Sequence, residues 1–156
     1  MRDPDDDRWA VVRAAVARFP RSCGYYLVKL VAMDPDWSQT EEASLDALFE
    51  SLDDHAWPPP AQRPSDQRWS DYEVLEDEAR SHLVEALVAG PAYGHTRVTM
   101  PVADAEEIWR NARAVFSAEA RFFMRLGLGN RAYAYQHGVV IVDGERAGCL
   151  CIVDGD

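Results

Sequence analysis

Glu78, His82 and Glu85 stand at a spacing that could do acid–base or metal chemistry. Steps of four and three residues along a helix bring both carboxylates beside one imidazole. Such neighbours could raise the basicity of the imidazole or join it in holding a metal ion. The simpler account is a helix flank with ordinary charge pairing. A second cluster is Cys149-Leu150-Cys151, whose two thiols share one face if the segment is a strand. A zinc site would need two further ligands converging there, and the strong spacings of such sites are missing from the chain. With Cys23 the thiols form an odd set of three, expected to be reduced and to form no structural disulfide. His137 lies in an apolar stretch and reads as a core histidine before a catalyst.

Other familiar signatures are missing. The sequence has no Walker-type phosphate loop, no G-x-G-x-x-G, no H-E-x-x-H and no G-x-S-x-G, so phosphate-loop, dinucleotide, zincin and serine-hydrolase chemistry lose their usual support. No catalytic residue, resident metal or cofactor is assigned, and a binding protein is favoured over an enzyme. One phrase is doubled, Ile141-Val142-Asp143-Gly144-Glu145 and Ile152-Val153-Asp154-Gly155-Asp156. A calcium loop needs about twelve residues with spaced ligands, so the echo is read as two strand ends. The first copy, Asp143-Gly144, carries a two-residue hairpin signal.

The elements that must position these residues follow from hydrophobic periodicity. Helices are predicted over 8–19 (Trp9, Val12, Val16 and Phe19 inward), 39–53 (Ser38 and Glu41 as a capping box; Leu45, Leu48, Phe49 and Leu52 inward) and 72–89 (Leu75, Ala79, Leu83, Ala86 and Leu87 inward). A fourth is capped by Asp104 and Glu107 and turns Ile108, Trp109, Ala112, Val115 and Phe116 inward. Strands are predicted over 25–33 and 95–100, followed by an antiparallel meander of 120–126, 131–142 and 145–153. Residues 55–71, with four prolines, form a loop that is functional, packed down by Trp57 and Trp69, or mobile. The expected whole is a single α+β domain over 1–156, a two-layer sandwich with about four helices mainly on one side of the sheet.

With Asp143-Gly144 as the turn, Val142 pairs with Glu145, and Tyr135, His137 and Gly138 lie opposite Ile152, Leu150 and Cys149. One face then collects Phe122, Met124, Leu126, Tyr133, Tyr135, His137, Val139, Ile141, Leu150 and Ile152 against the helices. The other collects Arg121, Phe123, Arg125, Ala132, Ala134, Gln136, Gly138, Ala147, Cys149 and Cys151, a smoother and more polar surface. This second face either accepts a closely packed helix or floors a ligand site with Arg121, Arg125 and Gln136 as its polar handles.

Charge is the feature that distinguishes one half from the other. The formal charge is −11, and residues 1–85 hold nineteen acidic against nine basic side chains, whereas residues 86–156 hold eight against seven. That balance opposes direct nucleic-acid binding. Eight acidic residues lie between Asp34 and Asp54, and Glu42, Asp46, Glu50 and Asp53 fall in a helical stripe with no nearby cation. Trp37 and Trp57 flank it. Solubility alone explains such a stripe, but it also suits a docking surface for a basic protein. The leading expectation is therefore a small acidic binding protein of the inhibitor or toxin-immunity type. The alternative is a ligand-binding protein or enzyme using the C-terminal sheet face or His82 with Glu78 and Glu85. A third is a subunit that pairs through its loop or a sheet edge. The acidic start and the short apolar runs predict a cytoplasmic protein with no membrane span.

Overall fold

The computed structural model describes residues 4–21, 24–32, 41–52, 68–89, 100–126 and 135–154. Helix α1 (Pro4–Ala17) leads to strand β1 (Gly24–Ala32) and helix α2 (Glu41–Leu52). A 3-10 turn (Trp69–Tyr72) and a short strand β2 (Glu73–Val74) precede α3 (Glu76–Ala89) and α4 (Val102–Arg113). The chain then forms β3 (Arg121–Met124), β4 (Tyr135–Val142) and β5 (Arg146–Asp154). Five strands make one antiparallel sheet in the order β1-β5-β4-β3-β2. The α+β class, the four helices and the antiparallel C-terminal meander all stand as expected. Among the described residues no helix is long and apolar enough to cross a membrane.

Both faces of the sheet are buried. On one, Trp9, Val12 and Val16 of α1, Leu83 and Leu87 of α3, and Ile108 and Trp109 of α4 pack with Phe122, Val139, Ile141, Leu150 and Ile152. On the other, Leu45, Leu48, Phe49 and Leu52 of α2 pack with Leu27, Phe123, Val140, Cys149, Cys151 and Val153. Each large side chain buried this way stabilises the fold by roughly 1.5–3 kcal/mol. The face expected to be smoother and more polar is thus a second core, and its small residues accept a closely packed helix. Residues 55–67 of the predicted loop lie outside the described residues; Trp69, beyond them, is packed, its ring meeting Phe49 edge-on at 4.5 Å and lying 5.4 Å from Tyr72.

Close approach also decides a position on the helix side. A Cβ at Gly148 would lie 2.8 Å from the Trp9 ring and 2.9 Å from Phe116, while Trp9 and Phe116 meet edge to face at 6.1 Å. Glycine is what lets α1 reach β5. The helices are tied to each other by Arg80–Glu106 at 2.6 Å and Arg113–Glu76 at 2.7 Å, pairs exposed enough to contribute at most about 1 kcal/mol each. Arg13 of α1 donates to the Val28 carbonyl of β1 at 3.0 Å.

The hairpin differs from the expected register. Val142 pairs with Ala147, and Tyr135, His137 and Gly138 pair with Asp154, Ile152 and Cys151, a slip of two residues. The cause is Asp143: its carboxylate accepts the backbone N–H groups of Glu145 (2.8 Å), Arg146 (3.0 Å) and Ser117 (3.0 Å), and its own N–H donates to the Arg146 carbonyl at 3.0 Å. This side-chain-closed loop replaces the two-residue turn. Because the slip is even, the described side chains of β4 and β5 keep their faces, whereas Leu126, just past the left-handed Arg125, packs with the α2-side core and not with Phe122 and Met124 as expected. The second copy of the phrase has a different role: Asp154 forms a bidentate ion pair with Arg21, the two side chains being 8% and 6% exposed.

Other boundaries also move. Helix α3 starts at Glu76, because residues 69–74 form the 3-10 turn and β2 instead of its first turn, and Leu75 is 80% exposed rather than inward. Helix α4 starts at Val102 behind Pro101, with no side-chain cap. Asp104 lies in its first turn, where a carboxylate suits the helix dipole. Helix α1 is shifted toward the N-terminal side of its predicted span. Residues 95–99 of the predicted strand, Ser38 and Trp57 lie outside the described residues.

Candidate functional site

Strand β3 ends at Met124, paired with Val139, while β4 begins at Tyr135. Among the described residues, 135–138 therefore run past the end of their neighbour and leave a step in the sheet. Helix α3 crosses the helix side of that step and brings His82 over it. The His82 and His137 rings stack with centroids 5.4 Å apart and planes 18° from parallel. Between them and the chain leaving β3 lies a pocket of about 240 Å³. Its walls are mainly apolar, with Phe123, Leu126, Val139 and Val140 among them, and its polar groups are His82, His137 and Arg125.

Local backbone shapes the pocket at two points. Arg125 has φ of 64° and alone among the described non-glycine residues is left-handed, a conformation that costs an L-residue roughly 1–2 kcal/mol. It falls just past the end of β3, where Arg125 and Leu126 line the pocket. Opposite it, Gly138 lies against Cys151: a Cβ there would fall 2.3 Å from the Leu150 carbonyl oxygen and 2.7 Å from the Cys151 thiol. The missing side chain leaves the pocket wall open to Cys151, which also lines it.

The electrostatics favour neutral imidazole. Burial pushes the pKa of His82 below its ordinary value, and the neighbouring His137 and Arg125 push the same way; Glu85 and Glu78 oppose them without prevailing. The rise in basicity that two carboxylates could have brought does not result, and the simpler account of a helix flank holds. Glu78 and Glu85 are both exposed, neither lines the pocket, and a helix flank describes them well. Among the described residues no three His, Cys, Asp or Glu side chains converge on a possible metal position. What the arrangement offers a ligand is two imidazoles that donate or accept hydrogen bonds, one guanidinium, and apolar surface.

The chain matches no family model, no curated protein and no solved structure. The site must therefore be read from its own geometry.

The remaining candidate residues are dispersed. Arg121 lies on β3, bonded to Glu73 of β2 at 2.7 Å and set over the Phe123 ring at 5.3 Å, so it braces the edge strand and does not line the pocket. Gln136 pairs with Val153 in β4, and its side chain lies outside the described residues. Cys149 and Cys151 do share a face but are buried under α2, with the Cys149 sulfur 3.9 Å from the Leu27 carbonyl and 4.0 Å from that of Leu52. Positions 42, 46 and 50 belong to α2, whose buried row is Leu45, Leu48, Phe49 and Leu52. The side chains of Glu42, Asp46 and Glu50, and all of Asp53, Trp37 and Trp57, lie outside the described residues. Sequence reasoning placed His82 and His137 in separate arguments and missed that they stack. The signal was present: the register put His137 on the helix-facing side, and His82 sits between the inward positions Ala79 and Leu83.

Proposed function

We propose that the protein binds a small organic ligand in the pocket at the β3–β4 step, with His82, His137 and Arg125 as its polar contacts. The observation that carries this is the convergence of those three groups on a mainly apolar cavity of about 240 Å³. A few polar groups in an apolar concavity, together with a perturbed titratable residue, are the usual marks of a ligand site. The test is ligand-detected NMR with a mixture of small aromatic and aliphatic acids, amides and alcohols. Wild type is expected to show binders that vanish in Leu126→Trp, a replacement that fills the pocket from its wall. Binders that persist in a folded Leu126→Trp protein, or none in wild type, would remove the proposal.

A second proposal rests on charge. The imbalance of the first 85 residues, nineteen acidic against nine basic, suits capture of a basic protein by the flank of α2. Capture at low salt that is lost at moderate salt, and lost in a Glu42→Gln, Asp46→Asn, Glu50→Gln, Asp53→Asn variant, is the expected result. Equal capture by both proteins would assign the charge to solubility.

A further inference from the structure

The chemistry of the pocket narrows its ligand, provided the pocket is a ligand site at all. The described arginines mostly have partners: Arg21 holds Asp154, Arg80 holds Glu106, Arg113 holds Glu76 and Arg121 holds Glu73. Arg125 is not among those paired, and of the described arginines it is the one that lines the pocket. No hydrogen bond or ion pair joins it to any described residue, although the chain carries 27 carboxylates against 16 Lys and Arg. A strained backbone holds it at the rim, and strain kept at a pocket is a pointer to function. The groups that face His82 are His137 from β4, Arg125 from the end of β3, and Glu78 and Glu85 from its own helix. Of these only His137 and Arg125 also line the cavity. Among the described residues the interior therefore presents donors and one fixed positive charge, and no carboxylate.

We infer that the pocket takes a small carboxylate with an aromatic or branched apolar body, its carboxylate set between Arg125 and the His82–His137 pair. A guanidinium suits a carboxylate geometrically as well as electrically, since two N–H groups can meet its two oxygens. Size agrees. A cavity of about 150 Å³ holds one benzene ring, so about 240 Å³ leaves room for a ring and its carboxylate. Binding an anion here also favours a proton on the imidazoles, so affinity rises as pH falls through the histidine range. Glu78 and Glu85, outside the cavity, act on His82 in the same direction but do not meet the ligand.

The decisive comparison is benzoate against benzamide, which share shape and differ in charge, titrated calorimetrically and by NMR into wild type, Arg125→Gln and Arg125→Lys. Benzoate is expected to bind at least about tenfold more tightly than benzamide, the equivalent of one pKa unit of differential interaction. Arg125→Gln should remove that preference, and Arg125→Lys, which keeps the charge, should restore most of it. The benzoate affinity of wild type should also grow between pH 8 and pH 6, and His82→Asn should flatten that growth. Equal binding of benzoate and benzamide, both lost in Leu126→Trp, would overturn the carboxylate inference while leaving the pocket as a ligand site. The same follows if only uncharged molecules bind. If nothing binds the pocket, both fall together.

Discussion

At the scale of single residues, burial sets the behaviour of His82. Its folded pKa lies below the ordinary value, with burial first and then His137 as causes. Above pH about 6.5 the imidazole is neutral in both folded and unfolded chains. As pH falls below that value the unfolded chain takes up a proton that the folded one resists, so stability declines until the folded pKa is passed. His82→Asn should therefore flatten the fall in denaturation midpoint between about pH 7.5 and 5, relative to wild type measured in parallel. An identical slope in both proteins would show that His82 carries no such linkage. This residue was visible in the sequence, but its environment was not. Spacing along one helix gave the two carboxylates, whereas the stronger influences come from burial and from His137 on a strand 55 positions later. Periodicity reports neighbours on one element and is silent about which residue of another element lies opposite. Arg125 was legible as a polar handle of a ligand site but not as a strained residue, because nothing in Met124-Arg125-Leu126 announces a left-handed backbone.

Elements were more legible than contacts. The three-strand meander and its two faces followed from alternation, and an even register slip left the faces of β4 and β5 intact, while Leu126 beyond the end of β3 changed sides. The slip itself followed from the Asp143 carboxylate, whose three backbone bonds close a wider loop than Asp-Gly alone implies. One of those bonds reaches Ser117, 26 residues away, which no local turn rule anticipates. The closeness of α1 to β5 gives a prediction at this scale. Gly148→Ala must push a methyl group against Trp9 and Phe116, and overpacking of this kind costs about 1–3 kcal/mol. For a domain of this size that is a fall of roughly 3–10 °C in melting temperature, readable by calorimetry. A melting temperature unchanged by the methyl would mean that the two rings yield freely. The second core was partly foreseen, since small residues on that face suited a helix. That the helix would be α2 could not be read, because order along the chain does not say which side of a sheet a connection crosses.

For the molecule as a whole, the deepest polar commitment is the Arg21–Asp154 pair. It joins the chain after α1 to the last residue of β5, and both side chains are nearly inaccessible. Burial alone would lower the pKa of Arg21, but its interactions with Asp154 and Tyr26 outweigh it and hold the guanidinium charged; one of its nitrogens, Nη1, has no hydrogen-bond partner among the described residues. Asp154→Ala leaves that charge buried and alone, which should cost about 3–5 kcal/mol. Replacing both residues together, Arg21→Met with Asp154→Leu, should return stability to within about 1 kcal/mol of wild type or above it, because the desolvation penalty disappears with the charges. Urea titration of the three proteins checks this, and a double variant as unstable as the single one would show that the pair fixes the fold in a way an apolar pair does not.

Strand β5 lies between β1 and β4, and its residues from Ala147 to Asp154 are buried on both faces. Solvent deuterium reaches amides so placed only when the whole molecule opens. A single peptide from this strand, followed by mass spectrometry over hours in heavy water, would then act as an isotopic clock set by global unfolding. It would report the stability of each variant under native conditions, with no denaturant and no extrapolation.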